Sequence, residues 1–274
     1  MSSAREKVNR RISSIRSLLC VGLDSDLEKI PEVFHTLPDP VPAFNRSVIR
    51  ATRDAAAAYK INTAFYEARG VPGLVDMEKT LGEIPAECLT IADAKRADIG
   101  NTSRMYARAF FEHWFFDSVT VAPYMGSDSL EPFFAYTDKL VFVLCLTSNA
   151  GSQDFEEQRM IDGRPLYEAV LEKVAGWQQG GNAGVVVGAT KSSLLGALRR
   201  TAPELFFLIP GVGAQGGSLE GAVREGTDVN GQSALINISR SLIYPAGTFR
   251  SVEEYEAAVT AEAQKTHEAM RLAL

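Results

Sequence analysis

The stretch "LTIADAKRADIGNTS", Leu89 to Ser103, decides the architecture. Its apolar start stops at Asp93, Lys95 and Asp98, three charges within six positions. Near-continuous apolar runs are the mark of strands buried on both faces, as in parallel sheets. Charges at the end of such a strand point to a site at its mouth. Asp93 and Lys95 are two apart, so on a strand both side chains are expected on one face. Arg96 is then expected on the opposite face, as a solvated or interface residue.

Seven more runs of the same kind flank this one. They are "LLCVGLD" (18–24), "AAAYKINTAF" (56–65), "SVTVAPY" (118–124), "LVFVLCLTSN" (140–149), "AGVVVGAT" (183–190), "LFFLIPGVG" (205–213) and "ALINISR" (234–240). Amphipathic segments separate them. "VPAFNRSVIRATRDAA" and "PLYEAVLEKVAGWQ" have apolar residues at helical spacing, and "SSLLGALRRTAP" opens on a serine cap and is followed by Pro203. Eight β–α units predict an α/β fold, a (β/α)8 TIM barrel, in preference to a doubly wound open sheet. No linker or composition break divides residues 1–274, so one domain is expected, with an N-terminal helix before the first strand and a helical tail after the last.

Barrel active sites lie at the C-terminal ends of the strands. Those ends carry Asp24, Lys60, Asp93 with Lys95, Thr147-Ser148-Asn149, "PGVGAQGG" and Arg240. Packing alone requires none of that chemistry, so the pattern predicts an enzyme. Neighbouring aspartates keep a partly buried lysine protonated and so make it a proton donor. Asn62, on the face of Lys60, is placed to orient it.

"GVGAQG", Gly211 to Gly216, fits G-x-G-x-x-G. It follows the seventh run rather than the first, and the next run ends in "NISR" without a ribose-binding acid. A phosphate nest before a helix at Ser218 fits better than a dinucleotide site, with Arg240 as clamp.

Composition narrows the partners. Lys and Arg total 28 against 34 Asp and Glu, a formal charge of −6, which argues against nucleic acid and anionic membranes. No run approaches the length of a membrane span. Cys20, Cys88 and Cys145 are expected as buried reduced thiols, and His35, His113 and His267 lack metal-ligand spacing. The N-terminus is rich in Ser and Arg like a transit peptide, yet Glu6 and the strand near Leu18 leave no room for a removable leader. A cytoplasmic protein is expected.

Lys60, "DAKRAD" (93–98), "LTSN" (146–149), "PGVGAQGG" (210–217) and the "SR" before Ser241 together resemble the orotidine 5′-phosphate decarboxylases, in their longer bacterial branch, over Asp24 to Arg240. The resemblance implies decarboxylation of orotidine 5′-monophosphate to UMP and CO2, the last step of de novo pyrimidine nucleotide synthesis. It implies no metal, no organic cofactor and a homodimer. Lys60, Asp93, Lys95 and Asp98 would form a charged tetrad. Asp93 would face the substrate carboxylate, and Lys95 would stabilise and protonate C6. Asp24, Lys60, Asp98 and Thr102 would bind the ribose hydroxyls, with Asp98 and Thr102 crossing to a partner subunit's site. Ser148 would read the pyrimidine edge, Gln215 would bridge base and phosphate, and Gly216, Gly217 and Arg240 would hold the phosphate. Ser239 departs from the glycine of many relatives. Residues 148–166 and 211–219 are the expected lids.

Three rival functions compete, one of them NAD-dependent oxidoreduction, which the place of the glycine-rich loop already disfavours. Magnesium-dependent sugar-phosphate enzymes on the same barrel share Asp-x-Lys-x-x-Asp but want a carboxylate where this chain has Lys60. A non-catalytic nucleotide binder would have no use for the costly charges.

Overall fold

The structure is a computed structural model that describes residues 2–212 and 217–274, without the side chains of 191–193. Eight parallel strands close into a barrel in sequence order: β1 (Leu19–Gly22), β2 (Ala56–Asn62), β3 (Leu89–Arg96), β4 (Ser118–Val121), β5 (Leu140–Leu146), β6 (Ala183–Val187), β7 (Phe206–Pro210) and β8 (Ala234–Ile238). β8 pairs with β1, so no edge remains. Each strand lies in one of the eight apolar runs, and most of their residues are buried, β3 being the exception with half of its residues partly or fully exposed. The barrel is the expected fold; the open sheet is excluded by closure.

Bulky side chains fill the barrel, and Gly184 on β6 marks how tightly. A Cβ there would come within 2.7 Å of the Phe142 ring and 2.6 Å of the Phe206 carbonyl oxygen. Phe142 and Phe206 meet edge to face at 5.9 Å. Glycine is what lets the two rings approach.

The helix Ala4–Ile15 begins in a capping box, with the Ser3 side chain accepting from Glu6 N–H and Glu6 accepting from Ser3 N–H. Its basic residues grip the end of the barrel opposite the charged strand ends. Arg5 donates to the carbonyls of Gly181 and Glu204, Arg11 donates to that of Ala56, and Lys7 pairs with Asp117 at 2.8 Å. That use accounts for two of the four N-terminal arginines, Arg5 and Arg11.

The tail forms a helix, Val252–Ala273, capped by Ser251. Tyr255, Val259, Ala263 and Met270 make its buried stripe. Tyr255 packs edge to face on Phe34 at 5.1 Å. The three cysteines are free and buried, as expected. Among the described residues no helix is long and apolar enough to cross a membrane.

Candidate active site

Four charged side chains alternate in sign across the C-terminal ends of β1, β2 and β3. Lys60 Nζ lies 3.0 Å from Asp93 Oδ2 and 3.5 Å from Asp24 Oδ1, and Lys95 Nζ lies 2.5 Å from Asp93 Oδ1. The chain Asp24–Lys60–Asp93–Lys95 is net neutral, so each charge is compensated by a neighbour. The resemblance makes Asp98, supplied by a partner subunit, the second aspartate of the tetrad. Within one chain Asp24 is the second aspartate in contact with Lys60. Asp98 is half-buried, its Oδ1 accepts from Ile99 N–H at 2.8 Å, and it forms no ion pair with the described residues.

The electrostatics follow from burial and pairing. Burial alone would raise the Asp93 carboxyl, but the Lys60 and Lys95 ammonium groups outweigh it and hold Asp93 well below the usual carboxylate range. Burial would lower Lys60, and Asp93 and Asp24 reverse that, so its ammonium is held above the ordinary lysine value. Both groups are ionised throughout the neutral range. Cys20, beside them on β1, is pushed by burial up to about 12 and takes no part as a thiolate.

Asp93 and Lys95 do meet, but not by simple strand alternation. Ala92 pairs with Val119 and Arg96 with Val121, so Asp93, Ala94 and Lys95 stand opposite Thr120 alone. The strand bulges there, and Lys95 adopts a left-handed backbone at φ 48°. Thr120, which nothing in the sequence singles out, donates from Oγ1 to Asp93 Oδ1 at 3.0 Å and accepts from Lys95 N–H at 3.0 Å. Arg96 pairs with Glu67 and lies over the Tyr106 and Phe110 rings, which makes it a brace rather than a solvated residue. Asn62 does not orient Lys60: its Oδ1 accepts from Ala64 N–H and caps the turn after β2.

Asp24 lies two residues past β1. Ser239 Oγ is 2.8 Å from Asp24 Oδ2, and Tyr244 Oη donates to the Asp24 carbonyl at 3.0 Å. The serine that departs from the family pattern therefore touches an expected ribose ligand. Ser148 is half-buried just beyond β5. A Cβ on Gly188 would fall 2.8 Å from the Ser148 Cβ, so glycine makes room for it. Beside Ser148, the Glu156 carboxylate accepts from Thr147 N–H at 2.6 Å and from Thr147 Oγ1 at 2.8 Å. That clamp folds the expected lid segment back onto the end of β5.

The glycine-rich loop is pinched at its base, where Gly217 N–H donates to the Gly211 carbonyl at 3.2 Å. Gly217 must be glycine: a Cβ would meet the Ala189 Cβ at 2.7 Å. The helix Leu219–Gly226 follows, with the Ser218 side chain accepting from Gly221 N–H. Gln215 and Gly216 lie outside the described residues. Arg240 is exposed at the start of the turn Arg240–Ile243 and forms no ion pair with the described residues. Thr102 is exposed in the first turn of the helix Gly100–Arg108.

Residues 17–255 match the model of the family described as "Orotidine 5'-phosphate decarboxylase / HUMPS family". The chain belongs to that family. It is 49% identical over 251 residues to the orotidine 5′-phosphate decarboxylase of Christiangramia forsetii, covering 90% of this chain and 92% of the relative. It is 46% identical over 267 residues to that of Porphyromonas gingivalis, covering 96% and 95%. The structure of Leishmania donovani OMP decarboxylase superposes with a TM-score of 0.83 at 39% identity, covering 98% of this chain and 99% of that one. Leishmania donovani UMP synthase gives 0.85 at 41% identity, and there the match covers 99% of this chain and 57% of the other.

Within this decarboxylase/HUMPS family the donor set of the present chain suits charge alternation rather than a cation. Both Asp93 oxygens are already on ammonium groups. A divalent ion at Asp93 would sit against two positive charges.

Proposed function

We propose that this chain decarboxylates orotidine 5′-monophosphate to UMP and CO2, as the names of its relatives imply. The observation that carries the reading is Asp93 held between two ammonium groups of unequal freedom. The Lys60 side chain is 5% exposed and bonded to two carboxylates, whereas the Lys95 side chain is 49% exposed and bonded to one. Lys60 is an anchor. Lys95 is the acid a ligand can reach.

The C6–carboxylate bond breaks with its electron pair left on C6, and CO2 departs. The ring offers that pair no delocalised sink, so a fixed cation at C6 lowers the barrier. Lys95 then gives its proton to C6 and is left as a neutral amine, which solvent reprotonates. Asp93, kept ionised by Lys60, would stand beside the leaving carboxylate and disfavour it there. Asp24 and Lys60 would hold the ribose hydroxyls, together with Asp98 and Thr102 from a partner subunit. Ser148 would read the base, Gln215 would bridge base and phosphate, and Gly216, Gly217 and Arg240 would hold the phosphate. Binding energy at that remote phosphate can drive loop closure over the ring.

On this reading residues 1–274 work as one barrel domain and as a homodimer. The free buried cysteines suit the reducing cytoplasm. The test is loss of ultraviolet absorbance of orotidine 5′-monophosphate with purified protein in excess EDTA. Conversion to UMP supports the reading and removes a magnesium-dependent sibling. Tight UMP binding without conversion leaves a nucleotide binder, and neither activity nor binding ends the proposal.

A further inference from the structure

β3 carries Asp93, Ala94 and Lys95 opposite a single residue of β4, Thr120. Thr120 is buried, and its side chain bridges the bulge: Oγ1 lies 3.0 Å from Asp93 Oδ1 and 3.0 Å from Lys95 N. The direction of both bonds is forced. An ionised carboxylate only accepts and a backbone N–H only donates, so the hydroxyl proton points at Asp93 and a lone pair at Lys95.

We propose that Thr120 is a positioning residue for decarboxylation, one that fixes the Asp93 carboxylate and the Lys95 backbone relative to each other. The proposal rests on the function argued above and deepens it.

Three observations support it. Lys95 is held at φ 48°, a left-handed backbone that side-chain-bearing residues seldom adopt without a local hydrogen bond to hold it. The Thr120 bond meets that residue at its N–H. Asp93 Oδ1, the atom Thr120 donates to, is also the one that accepts from Lys95 Nζ at 2.5 Å. When Lys95 turns its ammonium toward a carbanion, that oxygen loses a donor, and Thr120 keeps it bonded and aimed. Finally, the Lys95 side chain is then fixed at its base by Thr120 and at its tip by a carboxylate that Thr120 also fixes. Proton transfer depends on such placement, and a 1 Å error can cost about 100-fold.

Two substitutions separate this role from packing. Thr120→Val keeps the branched volume and loses the hydroxyl, whereas Thr120→Ser keeps the hydroxyl and loses the methyl. With orotidine 5′-monophosphate as substrate, T120V is expected to lower kcat on the order of 10- to 100-fold while KM and UMP affinity stay within about threefold. T120S is expected to stay within about threefold of wild type in all three. A rate that follows the methyl rather than the hydroxyl overturns the proposal, as does a T120V kcat within about threefold of wild type. A fall in UMP affinity in step with kcat also overturns it, because the role would then be binding. If T120V does not fold, Thr120→Ala takes its place against T120S by the same criteria. An inactive wild type sinks the decarboxylase reading and this proposal with it. An active wild type with an unaffected T120V sinks this proposal alone.

Discussion

Asp93 and Lys60 titrate in opposite directions from their ordinary values, and that fixes where the site stabilises the fold. Asp93 is depressed: burial opposes ionisation, but the two lysines prevail. Its contribution is therefore present above the unfolded value of about 3.9 and is lost as pH falls toward the folded one. Lys60 is raised by Asp93 and Asp24 against burial, so its contribution is full below about 10.4 and is lost as pH rises through the folded value. Between those limits the cluster adds a constant stability. Asp93→Asn, which leaves a buried ammonium short of a partner, is expected to cost about 3–5 kcal/mol at pH 7. The gap to wild type should close by about 1.4 kcal/mol per pH unit below about pH 4. Urea denaturation at pH 7, 4 and 3 measures both, and a gap constant with pH would remove Asp93 as the titrating group. At Lys95 the expectation concerns rate. Lys95→Ala should nearly abolish turnover while UMP affinity stays within about tenfold, the signature of an interaction made in the transition state. Loss of affinity in step with turnover would contradict the proton-donor role. These charges were legible in the sequence because acids and a base at a strand end have no packing use. Thr120 was not legible, since one hydroxyl inside "SVTVAPY" reads as an ordinary β-branched strand residue.

Strands were legible as elements because parallel strands buried on both faces leave unbroken apolar runs. Their ends were less so. Asp24 and Arg240 close apolar runs yet lie beyond Gly22 and Ile238, where the ladder stops. Past β1 the buried Leu23 carries the run on to Asp24, whereas past β8 the run ends on the half-buried Ser239 and the exposed Arg240. The bulge in β3 leaves no apolar signal at all, and so Asp93 and Lys95 meet through a bulge that their two-residue spacing does not reveal. The terminal helix was legible by its stripe, but its tie to the site was not. Tyr255 Oη donates to the Ile243 carbonyl at 2.7 Å, which fastens the tail to the turn that Arg240 opens. Tyr255→Phe should cost about 1 kcal/mol by leaving that carbonyl unpaired. Tyr255→Ala should cost about 3–5 kcal/mol, because it also empties the contact with Phe34. Equal losses in the two variants, read by urea denaturation, would mean that the ring's packing contributes nothing.

For the whole molecule the decisive residue is Asp98. Its sequence position joins it to Asp93 and Lys95, yet within one chain it forms no ion pair with the described residues. Ile99, next to it in the chain, and Met105, in the helix that follows, are large apolar side chains exposed at 58% and 43%. A charged residue with spare acceptors, followed by a segment with exposed apolar side chains, is what a shared site at a two-fold interface would leave on each subunit. The arrangement makes a quantitative prediction. Lys95→Ala and Asp98→Ala are each expected to be inactive as homodimers. In a mixed dimer with crossing Asp98, one site joins intact Lys95 to intact Asp98 and the other collects both lesions. Equal mixing puts half the chains in mixed dimers, each with one working site, so roughly a quarter of wild-type activity should return. Recovery should follow the rate of subunit exchange. Exchange demonstrated by labelled subunits without any recovery would assign Asp98 to its own chain's site, and the crossing would be wrong.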